Sequence, residues 1–508
     1  MTLSPLAACA GPGTVTGTGG TSGGAGGQGL TLALNRSLVS LDNKLNQFDA
    51  AVSVQRGVRQ ALTFIDPKLA VQNVLAESFE LTAPTEWTVR LRDGVRYSDG
   101  SPVTVEDVST ALEMYQKVPG SFLAGFFPEW PKVTPVDKST FKLVSENPMP
   151  TLDYLMANIL ITPAAANKPE ELQDGVGSGP YVVTSASRGT GEYTLQVNDK
   201  YWGPAPAIKT VRVRFLPEEA GRIVSLRSGE VDVIDAISPD AIAQLSGLAD
   251  VEVQEVPGTR ICQLFYNFRK PSGHPLADAR VREALTYAIN GPSLVKDVFS
   301  DSVTPMRGVV AGTLAGAAET GEYVYDPRKA RQLLDAAGVK DLTLKIIWET
   351  GEFVNDTSVM EAVVEMLKAV GVRAELQQFQ PGGDISKWRQ GRAGDWDVLG
   401  NGYGTPTGLA LTPLQGMYAG TAEKEASRDT YQGYVFPKIT TMVEKASQEA
   451  DQAKRERLLA DAQKEIWNTW PCLWAFTPKT VIARRKHVQN LQLGPTNSYD
   501  LATVRLSG

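Results

Sequence analysis

The sequence contains few of the residues that build metal centres or disulfide frameworks. Only two histidines, His274 and His487, and three cysteines occur in 508 residues, and neither a His-Glu-x-x-His nor a Cys-x-x-Cys motif is present. Imidazole nitrogen and thiolate sulfur are the usual ligands of zinc and nickel in proteins. We therefore expect no metal site formed by the protein's own side chains, and nothing else in the sequence points to a cofactor.

The sequence also lacks long apolar runs and an excess of basic residues. No apolar segment approaches the roughly 20 residues that a helix needs to cross a bilayer. The formal net charge is −7 and the pI is about 5.3, so we expect no basic surface that could neutralise nucleic-acid phosphates. With 42% hydrophobic and 21% charged residues, the chain is globular and long enough for two or three domains.

A catalytic constellation is missing as well. Glu218 and Glu219 are adjacent, but they fall in the first turn of a predicted helix, where the helix dipole favours acidic residues. Asp395 and Asp397 would point to opposite faces of a strand. Residues 20–29 match the patterns of a nucleophile elbow and a dinucleotide loop but lack the flanking strand and helix that both motifs need. We therefore predict that the protein is not an enzyme.

The amino-terminal segment resembles a bacterial lipobox. Leu6-Ala7-Ala8-Cys9 has the small residues that precede a lipid-carrying cysteine, although the basic and apolar regions of a signal peptide are missing before it. Residues 11–29 are almost all Gly, Thr, Ser, Ala and Pro, the composition of a flexible tether. We predict that Cys9 is lipidated and that residues 1–29 form the lipobox and tether; a chance Ala-Ala-Cys sequence is the alternative.

If Cys9 carries lipid, two cysteines remain for other roles. Cys262 and Cys472 would then lie in a compartment where disulfides persist. Their distance in the sequence does not prevent pairing if the fold brings their strands together. A disulfide between them and two buried free thiols are equally compatible with the sequence.

One stretch indicates the class of the fold. After a turn at 201–204, residues 208–215 alternate as a strand, about 218–228 have the pattern of a helix, and a second strand opens at 231. A strand, a helix and a strand within about 30 residues form a βαβ crossover, which favours a parallel sheet covered by helices.

Four segments in this order resemble the family 5 extracellular solute-binding proteins, which are the dipeptide, oligopeptide and nickel receptors of ABC importers. The resemblance covers about residues 30–480. It implies an α/β, two-lobed periplasmic-binding-protein-like fold of type II, in the large cluster with an extra inserted subdomain, and with lobes joined by a hinge of two chain crossings. The segments are WTVRLRDGVRYSDGSPVTVEDV at 87–108, GSGPY at 177–181, YWGPAPAIK with SGEVDV at 201–233, and HPLADARVREALTYAI at 274–289.

The resemblance also implies the domain boundaries. Lobe I would comprise residues 30–45, 181–258 and 480–508, with an inserted subdomain at 46–180, and lobe II residues 259–479. Such lobes close over a ligand by a hinge motion. We therefore expect an extracytoplasmic, monomeric receptor, lipid-anchored at the outer face of the cytoplasmic membrane or periplasmic, which delivers a small solute to the transmembrane subunits of an ABC permease.

Two stretches of lobe II are candidates for gripping the solute. The first follows the apolar strand that ends near 347 and contains Trp348, Glu352, Phe353 and Asn355. Loops beyond the carboxyl ends of sheet strands are where open α/β folds bind ligands. An ordinary strand-to-helix loop is the alternative. Weaker candidates, each more typical of core or plain loop, are Asn267, Gln47 and Phe48.

The second stretch, residues 387–408, resembles the family's Asp-Trp-Asp strand and the loop after it. In peptide-binding members an Asp of that loop takes the ligand's ammonium group, but here no acidic residue occurs from Val398 through Gln415. A charge-assisted partner for an α-amino group is therefore missing. Neutral donors beside aromatic rings suit hydroxyls, so we expect a neutral or polyhydroxylated ligand such as an oligosaccharide. The candidates are Trp388, Trp396, Asn401, Tyr403 and Thr405.

Three alternatives remain beside that expectation. A true di- or oligopeptide receptor could grip its ligand through backbone contacts. A nickel-chelate binder or an extracellular hydrolase would place the protein in a different functional class.

Overall fold

The structure is a computed structural model that describes residues 29–38, 40–44, 49–118, 121, 123–166, 175–421 and 432–507. The predictions made for Cys9, Gln47 and Phe48 lie outside the described residues. Within the described part of the chain, no helix is both long and apolar enough to span a bilayer.

A mixed sheet of 12 strands forms the centre of the molecule and extends through both lobes. Ten strands follow one path, and Val251–Pro257 and Val303–Pro305 pair with Cys472–Arg485 beside it. The path runs Arg373–Phe379, Thr343–Glu349, Val398–Tyr403, Ile261–Tyr266, Cys472–Arg485, Val233–Asp235, Gly29–Leu34, Thr210–Phe215, Glu192–Val197 and Tyr181–Ser187.

One long strand, Cys472–Arg485, links the two halves of the sheet. Its first part pairs with Ile261–Tyr266 of lobe II, and its last part pairs with Val233–Asp235 and Val251–Pro257 of lobe I. The two chain crossings therefore run side by side. A Cβ at Gly258 would lie 2.4 Å from the carbonyl oxygen of Pro478, so only glycine permits this close approach.

The βαβ crossover expected from residues 201–233 is present, with one addition. Thr210–Phe215 and Val233–Asp235 are joined by the helix Glu219–Ser228, which ends at Gly229 in the left-handed region. The first strand, Gly29–Leu34, lies between them and is parallel to both. The helix Pro239–Ser246 follows, with Ser238 as its N-cap.

The inserted subdomain contains its own antiparallel sheet. Its core comes from apolar residues between Leu62 and Ile161, covered by the helix Val105–Lys117. That helix begins with a capping box of Thr104 and Asp107. The four strands follow in the order Ala76–Ala83, Glu86–Leu91, Thr140–Val144 and Lys132–Pro135, and the hairpin Thr63–Ile65 with Val71–Asn73 and the helix Leu152–Met156 complete the unit.

The helix Asp49–Val58 belongs to a different core. Its residues Ala51, Val54 and Val58 are buried in the cluster that contains Leu30 and other side chains of the lobe I sheet. Because a residue belongs to the core in which its apolar surface is buried, we propose that the inserted subdomain begins at about residue 59 rather than 46.

Lobe II covers its part of the sheet on both faces. Alternate residues of Ile261–Tyr266 enter two separate hydrophobic clusters, as the two-residue period of a strand requires. The helices of lobe II include one with Asp278 as its N-cap and one that starts at Asp326-Pro327. They are Ala279–Tyr287, Gly291–Ser293, Pro327–Ala336, Asp356–Ala369, Ile385–Arg389, Leu411–Tyr418, Pro437–Gln448 and Gln452–Trp467.

The possible disulfide between Cys262 and Cys472 is not formed, and both are buried free thiols. Their strands are neighbours, but Cys262 lies opposite Phe476 and Cys472 lies opposite Phe265. This offset separates the two Cα atoms by roughly 10 Å, beyond the range of about 4.4–6.8 Å that a disulfide allows. The two side chains also enter different clusters on opposite faces of the sheet.

Candidate ligand-binding cleft

A cavity of about 490 Å³ lies between the lobes beside both chain crossings, and we call it the interlobe cavity. It opens beyond the carboxyl ends of Gly29–Leu34 and Val233–Asp235, the position where open α/β sheets bind ligands. Lobe I, the crossings and lobe II all contribute to its lining. The lining residues include Asn35, Arg36, Glu219, Arg222, Asp235, Ala236, Ser238, Thr259, Arg260, Val354, Gly404, Thr405, Lys479, Thr480 and Asn497.

Asp235 is the buried acid of the lobe I wall. Its carboxylate accepts a hydrogen bond from the backbone N–H of Asn35 at 2.8 Å. Burial raises the pKa of Asp235 to about 6, whereas the Asn35 N–H and the guanidinium of Arg222 act in the opposite direction. The group is therefore mostly ionised at neutral pH, and it gains a proton in mildly acidic solution.

Arg222 holds the end of this wall in place. Its guanidinium donates to the backbone carbonyls of Leu216, Pro217, Asp235 and Ala236, and its Nε lies 3.9 Å from the Asp235 carboxylate. These bonds occupy the guanidinium inside the protein. Arg222 therefore fixes the position of Asp235 rather than offering itself to a ligand.

The backbone is strained where it passes the cavity. Ala236 has a φ of 49°, in the left-handed region that a residue with a Cβ rarely adopts. Its carbonyl oxygen accepts from Arg222 at 2.8 Å, and two residues later the N–H of Ser238 donates to Glu219 at 2.5 Å. Strained residues that are held by their surroundings are typical of binding sites.

An ion pair forms the opposite wall. Arg260 contacts Glu352 at 2.6 Å, and the same carboxylate oxygen accepts from the N–H of Gly402 at 2.8 Å. Burial raises the pKa of Glu352, and Arg260 and the Gly402 N–H oppose this shift. The network joins a chain crossing, the 350–355 loop and the strand Val398–Tyr403, so the guanidinium of Arg260 is held over the strand.

Of the predicted ligand-binding residues, Thr405 lines the interlobe cavity, and its hydroxyl lies 3.0 Å from that of Thr407. Asn401 is buried and bonded within the protein, because its amide oxygen accepts from Arg389 at 3.0 Å and its amide nitrogen donates to the Gly402 carbonyl at 3.2 Å. The neutral donors that suggested hydroxyl recognition are thus largely occupied by protein partners.

The other predicted residues serve the core or its edges. Trp348, Phe353 and Trp396 are buried in the lobe II clusters, while Trp388 packs against Phe379 with the Lys345 ammonium over its ring. Asn267 donates to the Trp396 carbonyl. Asn355 donates to the Val298 carbonyl, and Glu352 is the partner of Arg260.

Tyr403 takes part in a contact between the lobes. Its ring meets Phe126 of the inserted subdomain edge-on, with centroids 6.4 Å apart. Nearby, the Asn158 amide donates to the carbonyl of Pro406 at 3.3 Å. A smaller cavity of about 260 Å³ lies between the inserted subdomain and lobe II on the same side. The lobes thus touch at the far edge of the cleft, as expected for a closed arrangement.

Sequence reasoning missed Asp235, Glu219 and Arg260. One local signal was present for Asp235: it ends a short apolar strand just before a Ser-Pro helix start, and such strand-to-helix loops line ligand sites in α/β folds. Arg260 carried no comparable signal, since its role depends on Glu352 and on Gly402 in distant parts of the chain. Among the described residues, no group of three His, Cys, Asp or Glu side chains could hold a metal ion.

Comparison with known proteins identifies relatives of the whole chain. It is 26% identical over 490 residues to the glutathione-binding protein GsiB of Escherichia coli O157:H7, with 94% of both chains covered. It is 26% identical over 438 residues to the probable D,D-dipeptide-binding periplasmic protein DdpA of Escherichia coli strain K12, which covers 84% of this chain and 83% of DdpA. These relatives are solute-binding proteins and not enzymes.

A solved structure confirms the predicted two-lobed fold. The ABC transporter substrate-binding protein CtaP of Listeria monocytogenes superposes with a TM-score of 0.83 at 18% identity, covering 95% of this chain and 100% of CtaP. Residues 70–425 match the family described as bacterial extracellular solute-binding proteins, family 5 Middle. Since this match extends over more than half of the sequence, the chain belongs to the family 5 bacterial extracellular solute-binding proteins.

Proposed function

We propose that the protein is the substrate-binding subunit of an ABC importer and captures a small peptide or peptide-like zwitterion between its lobes. The observation that carries this proposal is that acidic and basic groups both line the interlobe cavity, whose basic lining residues are Arg36, Arg222, Arg260 and Lys479. Asp235 and Glu219 line it from lobe I, and Arg260 lines it at the start of lobe II. A solute with an ammonium group at one end and a carboxylate at the other would complement both walls.

The size of the cavity supports a short ligand. Its volume of about 490 Å³ is within the range of roughly 300–1,000 Å³ that is usual for small-molecule sites. A di- or tripeptide fits that volume. The named ligands of GsiB and DdpA, glutathione and a D,D-dipeptide, are of this size and chemistry.

A neutral or polyhydroxylated solute such as an oligosaccharide is less well supported. It was expected because the 401–407 loop has no carboxylate. The acids lie instead on lobe I, at Asp235 and Glu219, while the amide of Asn401 and the hydroxyl of Thr405 have partners inside the protein. In this proposal the carboxylate that binds the ligand's ammonium group belongs to lobe I, whereas in the family pattern it belongs to lobe II.

Binding would act through lobe closure without covalent chemistry. A ligand that contacts Asp235 and Arg260 at once stabilises the closed arrangement, in which Asn158 already meets Pro406. Closure then presents a liganded receptor, acting as a monomer, to the permease. The extent to which a ligand shifts the protein from the open to the closed form is set by the difference between its affinities for the two forms.

Isothermal titration calorimetry with a matched panel tests the ligand class. The panel contains glutathione, a dipeptide and a tripeptide, the same peptides with an acetylated amino end or an amidated carboxyl end, maltotriose, and a nickel–histidine chelate. We expect binding of at least one unblocked peptide and a loss of about tenfold or more when either end is blocked. Binding of maltotriose or of the nickel chelate without any response to peptides would overturn the proposal.

Attachment to the membrane is a separate part of the proposal. We propose that the receptor is extracytoplasmic and is held at the cell surface by lipid on Cys9 with residues 10–29 as the tether, because the Ala-Ala-Cys sequence precedes a segment of Gly, Thr and Ser. In the native host the protein should fractionate with membranes, and Cys9→Ala should release it. Equal fractionation of both forms would refute lipidation at this residue.

A further inference from the structure

A cavity of about 200 Å³ lies in lobe I at its junction with the inserted subdomain, and we call it the junction cavity. It shares no lining residue with the interlobe cavity. Its walls come from the last turn of the helix Asp49–Val58, the strand Thr63–Ile65, the turn at 201–202 and the carboxyl-terminal segment 499–502. Elements from three distant parts of the chain therefore enclose one small space.

Three charged side chains line this space. Arg59 is buried and lies 3.9 Å from the Asp42 carboxylate, and the other two, Arg56 and Asp500, carry opposite charges and form no ion pair with each other. Arg56 is half-buried on one wall, and Asp500 lies on the exposed rim. Each influences the other electrostatically: burial lowers the pKa of Arg56 to about 10, and Asp500 acts in the opposite direction. Among the described residues, neither has an ion-pair partner within 4.0 Å, although both are lining residues of the same cavity.

Within the described ranges, Arg56 and Asp500 form hydrogen bonds only with uncharged groups. Arg56 donates through one nitrogen, Nη2, to the Ala157 carbonyl at 3.3 Å and to the Asn158 side chain at 3.5 Å. Asp500 accepts from the N–H of Ala502 at 2.9 Å through one carboxylate oxygen. Charged groups in partly desolvated sites are normally compensated by a charge of opposite sign, and here that compensation would come from a ligand.

Three partly buried aromatic residues form part of the remaining surface. Phe64, Tyr201 and Trp202 are each only partly buried where they line the cavity. Trp202 is held in place by Gln60, whose side-chain oxygen accepts from the indole N–H at 2.9 Å, and the Arg56 guanidinium lies 5.3 Å from the Phe64 ring centroid. A cation, an anion and aromatic rings around a small volume are complementary to a small zwitterion with an apolar side chain.

We propose that the junction cavity binds a free α-amino acid with an aromatic or other apolar side chain, whose carboxylate pairs with Arg56 and whose ammonium pairs with Asp500. The side chain of the ligand packs against Phe64, Tyr201 and Trp202. This site is independent of the interlobe cavity and of the solute that the interlobe cavity takes.

Calorimetry with L-phenylalanine on the full chain tests the proposal from the ligand side. We expect L-phenylalanine to bind, and N-acetyl-L-phenylalanine and L-phenylalaninamide to bind about tenfold or more weakly, because each lacks one of the two charges. These comparisons need no mutant protein. Absence of binding at millimolar L-phenylalanine, or equal binding of the blocked forms, would overturn the proposal.

Three variants locate the bound amino acid. Asp500→Asn keeps an oxygen for the Ala502 N–H and removes only the charge, so it should weaken L-phenylalanine binding about tenfold or more. Asp461→Asn, on the exposed side of the helix Gln452–Trp467, is the matched control and should bind like the unmodified protein. Asp235→Asn tests the interlobe cavity as the competing site. Weakening by Asp235→Asn with unchanged binding by Asp500→Asn would place the amino acid in the interlobe cavity and refute the proposal.

Discussion

Replacing Gly402 with alanine should weaken ligand binding and leave the fold intact. A Cβ at this position would lie 2.5 Å from Nη2 and 2.6 Å from Nε of Arg260, which is closer than van der Waals contact permits. The guanidinium is the end of a flexible side chain, so we expect it to move away. Arg260 would then lose its ion pair with Glu352, in which Nη2 of Arg260 now lies 2.6 Å from Oε1 of Glu352.

The cost to folding should be small. The Arg260 side chain is 46% exposed and that of Glu352 is 14% exposed, but the Glu352 carboxylate keeps the N–H of residue 402 as a partner, so we expect loss of the ion pair to cost about 1 kcal/mol, the upper end of the range for exposed pairs. Alanine also recovers roughly 0.5–1 kcal/mol that glycine loses in a strand, so the two effects nearly cancel. Binding should change more, because a displaced Arg260 no longer donates a charge-assisted hydrogen bond to the ligand carboxylate. Such a bond is worth about 1.5–3 kcal/mol, which corresponds to a loss of about tenfold to a hundredfold in affinity.

Calorimetry with the peptide that the unmodified protein binds most tightly, together with thermal melting, measures both quantities. Gly312→Ala is the control, because a Cβ at Gly312 has no atom within 4 Å and Gly312 does not line the interlobe cavity. We expect Gly402→Ala to lose affinity at a nearly unchanged melting temperature and Gly312→Ala to change neither. Unchanged affinity in Gly402→Ala, or an equal loss in both variants, would refute the role given to Arg260.

Three further predictions follow from the same contacts. Because burial raises the pKa of Asp235 to about 6, peptide affinity should fall as the pH drops through that value and the carboxylate is protonated, and calorimetry on Asp235→Asn should give weaker binding with a flat pH profile; a pH-dependent variant would contradict this. Asn158→Ala removes the bond to Pro406, which should weaken ligand binding severalfold, given about 0.5–1.5 kcal/mol per hydrogen bond; unchanged affinity would exclude a role in closure. Peptide mapping of unreduced, denatured and alkylated protein should find both Cys262 and Cys472 modified, whereas a linked peptide pair would contradict the strand register.

Much of the local structure could be predicted because its causes are local. Thr104 and Asp107 satisfy each other's backbone donors wherever a helix follows. Gly229 accepts a φ of 77° that ends a helix without steric cost, and Asp278 caps the helix Ala279–Tyr287 from within its own turn. The family motifs are built from such segments, which is why the fold could be expected from residues that lie close together in the chain.

The candidate site was predicted less well because its determinants are not local. The 401–407 stretch was predicted to contact the ligand, and Thr405 lines the interlobe cavity, but whether its polar groups were free for a ligand depended on partners elsewhere. Arg389 occupies the amide oxygen of Asn401. The acid that was missing from the loop is found instead across the cavity at Asp235.

The sequence alone determined several helices with their caps, the alternating strands and the family. The tertiary structure decided that Gly29–Leu34 lies between Thr210–Phe215 and Val233–Asp235, that Cys262 and Cys472 enter opposite faces of one sheet, and that Asp235 and Arg260 line one cavity. The physical reason is the range of the interactions: capping and periodicity act within a few residues, whereas strand order, burial and charge pairing join groups that only the folded chain brings together.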